Sequence, residues 1–288
     1  MPLTHLLLAL AVVAVWGTNF TVMKLGLATW PPLLFTALRF GFSAVPALFL
    51  PRPKLPWSTL AIYGLLMGPG MFALMFTAIQ GDITPGLASL VVQTQVFFTI
   101  GLSAWFQGER VARLQMLALA VAVTGILLIA WNVTADATGT VVTWRGLTLV
   151  LGAALCWALT NIVVKRAGKL DILPFMAWSS IPPTIALLAM SYVVEGGRWA
   201  EAFTSAGPGA WSAAVWQAVG NTLFGYGAWS WLLARHPASH VAPTALLVPI
   251  FGMGTSALVL AEPLPLWKLA AAALVIGGLA LNIIASRR

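Results

Sequence analysis

Apolar stretches near 20 residues long recur along the whole chain, separated by short clusters of proline, glycine and charge. About 20 apolar residues is what an α-helix needs to cross the ~30 Å hydrocarbon core of a bilayer. Ten such runs are read, at 3–24, 31–50, 57–79, 84–106, 111–131, 143–164, 172–194, 210–233, 239–260 and 265–285. The connectors are brief, as in Trp30-Pro31-Pro32, Pro51-Arg52-Pro53-Lys54 and Gly108-Glu109-Arg110. The longest polar interruptions, 132–142 and 195–209, are too short for a soluble domain. The first run lacks a basic leader and a small-x-small cleavage site, so it reads as a retained helix.

Composition supports the same class. Of the 288 residues 60% are hydrophobic and only 8% charged, with a mean hydropathy of +0.94, whereas a soluble domain carries about 25% charge. The single cysteine, Cys156, lies inside a span, and His5, His236 and His240 lie near helix ends, so no disulfide framework or metal set is expected. The net charge of +8 is spread along membrane edges, which gives no basis for nucleic-acid binding. No cofactor and no catalytic set are expected, and the expected partners are the lipid bilayer and a small-molecule substrate. A monomer is one expected state.

A faint duplication organises the ten spans. Trp16 to Gly26 reads WGTNFTVMKLG, and Trp157 to Gly168 reads WALTNIVVKRAG. Trp16 and Lys24 fall on Trp157 and Lys165 at an offset of 141. Later positions align at an offset of 153, which places Glu109 on Glu262 and Gly125 on Gly278. Each half, 1–135 and 143–288, would hold five helices. Five is odd, so the second half must enter the membrane inverted, the arrangement transporters use for alternating access. With the N-terminus inside, ten basic residues fall on the cytoplasmic side (Arg52, Lys54, Arg110, Arg113, Lys165, Arg166, Lys169, Arg235, Arg287, Arg288) and four outside (Lys24, Arg145, Arg198, Lys268). The positive-inside rule then puts both termini in the cytoplasm. Tryptophans near span ends, Trp30 among them, read as interfacial anchors. Trp16, Trp157, Trp178, Trp216 and Trp229 lie deeper.

Deep polar groups are the candidate site, because hydrocarbon offers them no partner. Gln93 and Gln95 sit near mid-depth in the fourth run, as cavity groups or as interhelical bonds. Asn19 shares a helix face with Trp16, and Asn161 with Trp157, an amide beside an aromatic plate that either holds a solute or packs two helices. Asn221 and Tyr226 lie in the eighth run. Arg39 is the one fixed charge well inside a span; it either receives a substrate carboxylate or ties a neighbouring helix. No Asp or Glu lies deep in a run, which argues against a carboxylate proton relay. Glu109 and Glu262 are candidate gates, and Pro69 and Pro249 candidate hinges, with rim ion pairs and static kinks as the alternatives.

These stretches resemble the EamA-type branch of the drug/metabolite transporter superfamily. The likeness runs from Val15-Trp16-Gly17-Thr18-Asn19-Phe20 to Lys24, then Pro31-Pro32 and Leu38-Arg39-Phe40, Gly86-Leu87-Ala88-Ser89, Gly108-Glu109-Arg110, Val241-Ala242-Pro243 and Leu247-Val248-Pro249. It is strongest to bacterial exporters of cysteine and O-acetylserine, with a related YddG-type branch handling aromatic and other amino acids. The resemblance implies two inverted five-helix repeats around a central cavity. It implies an inner-membrane exporter of amino acids and related metabolites; from their depth and polarity, Gln93 and Gln95 with Asn19, Trp16 and Tyr226 are the residues expected in its cavity. A broad drug or metabolite efflux transporter, or a structural membrane protein, is the alternative. There is no Walker A sequence for ATP hydrolysis and no residue set for an enzyme.

Overall fold

The structure, a computed structural model, describes residues 1–107, 111–133 and 141–286. Glu109, the candidate gate, lies outside them, as do Arg110, Asp136, Arg287 and Arg288. The described residues form ten helical segments: α1 (Leu3–Gly26), α2 (Pro32–Leu48), α3 (Trp57–Gly81), α4 (Pro85–Phe106), α5 (Arg113–Trp131), α6 (Trp144–Ala167), α7 (172–195), α8 (208–235), α9 (Ala242–Leu260) and α10 (Leu266–Ala285). Eight are long and apolar enough to cross a bilayer, the seventh through its extension to Ser205. Of the other two, α2 is shorter and α8 carries Gln217, Asn221 and Thr222 in its middle. The chain is an all-α polytopic membrane protein with eight to ten spanning helices.

The helices begin where the sequence allows. Pro32, Pro85 and Pro208 each occupy the first helical position, where the missing N–H would have had no partner. Inside the spans, departures from α geometry recur in matching places. Leu66–Ala73 of α3 and Gln217–Phe224 of α8 are both eight-residue π-helical stretches. Val92–Thr94 of α4 and Ala242–Leu247 of α9 are both 3-10 turns. Pro69 sits inside the first π stretch, so α3 runs on through it with wider hydrogen-bond rings. Pro249 lies where the 3-10 turn Ala242–Leu247 passes into the α segment Val248–Leu260, and its missing N–H leaves one carbonyl of that turn without a helical donor.

Packing follows a pattern. The main contacts pair α5 with α10, α2 with α7 and α4 with α9; α1 packs on α8 and α9, and α6 on α3 and α4. Small residues allow the closest approaches. A Cβ on Gly125 of α5 would meet Val275 Cγ2 at 2.8 Å, and one on Gly278 of α10 would meet the Ala118 carbonyl oxygen at 2.7 Å. These two repeat mates therefore seat the α5–α10 pair from both sides, the small-residue contact expected where lipid gives helices no hydrophobic reason to associate. One anchor reading changes. Trp30 is fully buried, donating from Nε1 to the Ala210 carbonyl at 3.0 Å and stacking edge-on against Trp211 and Phe203, because α2 and α8 close over it.

Gly278→Ala should lower stability by about 1–3 kcal/mol through overpacking. Gly277→Ala next door, where a Cβ meets nothing within 4 Å, should be neutral or slightly stabilising. Thermal unfolding of the two variants in detergent checks this, and equal midpoints would refute the seating role of Gly278.

Candidate functional site

A cavity of about 390 Å³ lies between α1, α3, α4, α6, α7, α8 and α9. Eight of the nine residues read as substrate-binding candidates line it: Trp16, Asn19, Gln93, Gln95, Trp157, Asn161, Asn221 and Tyr226. Arg39 is the exception and lies behind the wall. Of the deep tryptophans, Trp16, Trp157 and Trp229 face the cavity. Trp178 instead donates to the Leu50 carbonyl at 3.0 Å, and Trp216 is 37% exposed on the outer face of the bundle.

The polar part of the wall falls into two patches. On one side Asn161 Nδ2 of α6 donates to Gln95 Oε1 at 2.9 Å and to Thr99 Oγ1 at 3.1 Å, both on α4. Thr99 in turn donates to the Gln95 carbonyl at 2.7 Å, which fixes its hydroxyl as an acceptor for Asn161. On the other side the Arg39 guanidinium is 1% exposed. It donates from Nη1 to Gln217 Oε1 and from Nη2 to Thr222 Oγ1 at 2.9 Å. The Asn221 amide is oriented by its neighbours: with Oδ1 turned to the guanidinium it accepts from Arg39 Nη1 and from Asn19 Nδ2, both at 2.8 Å. The π stretch of α8 is what gathers Gln217, Asn221 and Thr222 around one guanidinium, and Thr222 Oγ1 also donates to the Gln217 carbonyl five residues back. The Phe72 ring lies flat against the other face, 3.6 Å from Cζ to the centroid. A charge at mid-bilayer costs roughly 2.5–3.5 kcal/mol even by the mildest scale; these contacts offset that cost, with no counter-ion among the described residues.

Between the patches the wall is apolar and adaptable. Trp16 donates to the Asn221 carbonyl at 3.2 Å and packs against Tyr226 and Trp229, with centroids 5.4 and 5.2 Å away. Gly225 makes room for it: a Cβ there would collide with the indole nitrogen. Met23, Met71, Met75 and Met176 also line the space, and methionine repacks around ligands of different shape. These methionines, with Tyr63 and Thr160, were not foreseen from the sequence. In an apolar run a cavity methionine looks the same as a core methionine. Gln217 and Thr222 carried a signal, since they flank Asn221 and make this stretch of α8 less apolar than the turns before it.

The two ends of the bundle differ. At one end four ties cross between helices. Glu195 accepts from the Leu33 and Leu34 backbone N–H groups at 3.0 Å each, capping the start of α2. Glu262 accepts from the Gly86 N–H at 3.1 Å at the start of α4, from Ser256 Oγ, and from the Lys268 ammonium. Lys24 donates to the Ile79 and Gln80 carbonyls at 3.0 and 2.8 Å, closing the end of α3. Arg145 pairs with Asp82 at 3.0 Å. The expectation of a rim pair for Glu262 and Lys268 changes here: the Lys268 side chain is 0% and the Glu262 side chain 4% exposed, because α9 and α10 fold over both. At the other end the cavity lining reaches Val164, Ile172 and Leu233, next to the last turn of α6, the first of α7 and the last of α8. His5 and His236 share a hydrogen bond there, Nδ1 to Nε2 at 2.7 Å. Among the described residues no group of three or more His, Cys, Asp or Glu side chains could hold a metal ion.

A bundle of spanning helices around a solute-sized cavity with paired amide patches defines a membrane transporter of small molecules. The comparisons give it a family. The EamA-like transporter family matches residues 3–131 and again residues 144–284, and the chain belongs to that family. It is 37% identical over 286 residues to a "Probable amino-acid metabolite efflux pump" of Salmonella typhimurium (strain LT2), covering 97% of this chain and 95% of that one. It is 36% identical, with the same coverage, to a protein of the same name from Escherichia coli (strain K12). A solved crystal structure shares the fold, with a TM-score of 0.65 over 100% of this chain and 99% of its own, at 19% identity.

Glu262→Gln should destabilise the protein by about 3–5 kcal/mol, because it leaves the buried Lys268 charge unpaired. Adding Lys268→Met should recover most of that loss. Unfolding in detergent reads both, and a double variant no more stable than the single one would sink the ion-pair account.

Proposed function

We propose that this chain is a bacterial inner-membrane exporter of amino acids and related small metabolites, working by alternating access through the central cavity. The cavity carries the reading. Its volume of about 390 Å³ lies at the low end of the ~300–1,000 Å³ typical of small-molecule sites, which favours one small solute over a bulky drug. Its two amide patches stand across an aromatic and methionine-rich wall. Amides recognise both ammonium and carboxylate groups, while the apolar wall tolerates varied side chains. The names of the Salmonella and Escherichia relatives agree. The Trp and Met lining also suits other metabolites, which keeps a broader efflux specificity as the second reading.

The mechanism rests on two halves, 1–135 and 143–288, related by inversion, with both termini in the cytoplasm. Three observations support this. The family matches twice along the chain, once in each half. The π-helical stretches stand at an offset of 151 (217 minus 66), close to the offsets of the sequence echo. Exchanging the halves helix for helix also maps the main packing pairs onto one another: α1 on α9 becomes α6 on α4, and α3 on α6 becomes α8 on α1. In this orientation the end tied by Glu195, Glu262, Lys24 and Asp82 is outward and closed, and the cavity reaches inward. Glu262 then acts as part of the outer gate, whose bonds to Gly86 and Ser256 must exchange when the halves rock. Pro69 and Pro249 mark where α3 and α9 flex.

Among the described residues, none of those lining the cavity is Asp, Glu or His, which supports export driven by the solute gradient without obligatory proton coupling. Counterflow of labelled amino acids in proteoliposomes, with and without an imposed pH gradient, tests this. At least one amino acid should move, at a rate the gradient leaves unchanged. No movement of any amino acid would reject the substrate class. Gln95→Leu or Asn161→Leu should slow transport about tenfold, the equivalent of one lost hydrogen bond to a charged group, with normal membrane insertion. Unimpaired transport in both would remove the amide patch from the site.

A further inference from the structure

We propose that Arg39 is the specificity-determining charge of the cavity: it selects for solutes that carry a carboxylate or another anionic group and against those whose only charge is positive. The inference rests on the transport reading above and names the solute class. It starts from an imbalance. Among the described residues no Asp or Glu forms an ion pair with Arg39, and its three polar partners, Gln217, Asn221 and Thr222, are neutral. Neutral dipoles hold a buried guanidinium in place but do not cancel its charge. The positive field therefore extends into whatever low-dielectric space lies next to it.

That space is the cavity. Two of the side chains that touch the guanidinium, Asn221 and Phe72, are themselves part of the cavity wall, and Asn19, bonded to Asn221, is a third wall residue. The charge stands one side chain behind the surface a solute meets. Among the described residues the wall supplies no acidic group to oppose it. Hydrogen-bonding capacity is also left over in this cluster: Arg39 Nε, Gln217 Nε2 and Asn19 Oδ1 are buried without a protein partner. Buried polar groups seldom stay unpaired unless the site has a use for them. Arg39 does not touch the solute. It biases which end of a zwitterion faces α1 and α8, with the carboxylate toward Asn19 and Asn221. The ammonium is then directed to the opposite patch, where Gln95 Oε1 accepts hydrogen bonds.

The experiment separates the field from the fold. Asn221→Asp keeps the side-chain shape and sets a carboxylate beside the guanidinium, so the variant should insert and fold while the field collapses. Arg39→Lys keeps the charge and loses the forked bonds. The first readout needs no transported solute: quenching of the tryptophans, of which Trp16, Trp157 and Trp229 line the cavity, by iodide, by caesium and by neutral acrylamide. In detergent-solubilised wild type and Arg39→Lys, iodide should quench a tryptophan fraction that caesium does not reach. In Asn221→Asp that iodide advantage should vanish, with acrylamide quenching unchanged. The second readout is inhibition of amino-acid counterflow by leucine, N-acetyl-leucine and leucinamide. Wild type should favour the two carboxylates over the cationic amide by on the order of tenfold or more, and Asn221→Asp should erase or reverse the preference. Equal quenching by the two ions in wild type, or an iodide advantage that persists in Asn221→Asp, overturns the proposal. So does equal inhibition by leucinamide. If no amino acid moves at all, the exporter reading fails while the quenching result still decides the charge.

Discussion

Hydrocarbon offers a polar group no partner, and almost every feature of this protein follows from that constraint. It forces the backbone into helices. It also makes each polar side chain inside the spans consequential, because each needs a neighbour of the right chemistry at the right depth. Asn161 finds Gln95 and Thr99; Asn221 finds Arg39 and Asn19. These bonds join helices that are distant in the chain, from α1, α2 and α8 on one side and α4 and α6 on the other. The same groups that hold the bundle together therefore make up the polar surface of its cavity. Apolar contact contributes shape, through Gly125 and Gly278 and the methionines, but lipid competes for it equally well.

The tied end shows the same economy. Glutamates from the second half of the chain cap helices of the first: Glu195 at the start of α2, Glu262 at the start of α4. A helix N-terminus has N–H groups that no turn satisfies. In the membrane interface each is free to bond water, yet here protein carboxylates take them. Such a bond is strong while water is excluded and weak once water enters. On the proposed alternating-access cycle, that property suits a contact that forms and releases, and it would place the capacity for switching in charged caps instead of in the apolar core.

Much of this was legible in the sequence, for a stated reason. A span is a length of apolar residues, and a site is a polar residue that interrupts it; both are one-dimensional signals. Asn19, Gln93, Gln95, Asn161 and Asn221 stood out as amide side chains deep in largely apolar runs, and the structure brings them to one cavity. What stayed hidden depends on direction around a helix. Met71 and Met75 line the cavity while Met190 is exposed, and no composition distinguishes them. Trp30 and Lys268 sit where anchors and rim charges usually sit, yet both are fully buried, because the neighbouring helix closes over them. The π stretch of α8 was equally unreadable, though it is what gathers three partners around Arg39.

The skeleton and the chemistry also differ in symmetry. Helix pairing, π stretches and 3-10 turns recur in both halves. Arg39 does not. Its counterpart region in α7 holds Ser179, Ser180, Pro182, Pro183 and Thr184 and no charge. On the proposed alternating-access mechanism, such a recurring frame would rock between two openings of similar energy. An evenly duplicated charge would place two guanidiniums around one small cavity, and their repulsion would work against its closure. One unmatched cation avoids that repulsion. On the proposed mechanism it also stays on the α2 side of the cavity, so the field a solute meets would keep one direction through the cycle. On this account the duplicated frame supplies the motion, and the single arginine supplies the discrimination.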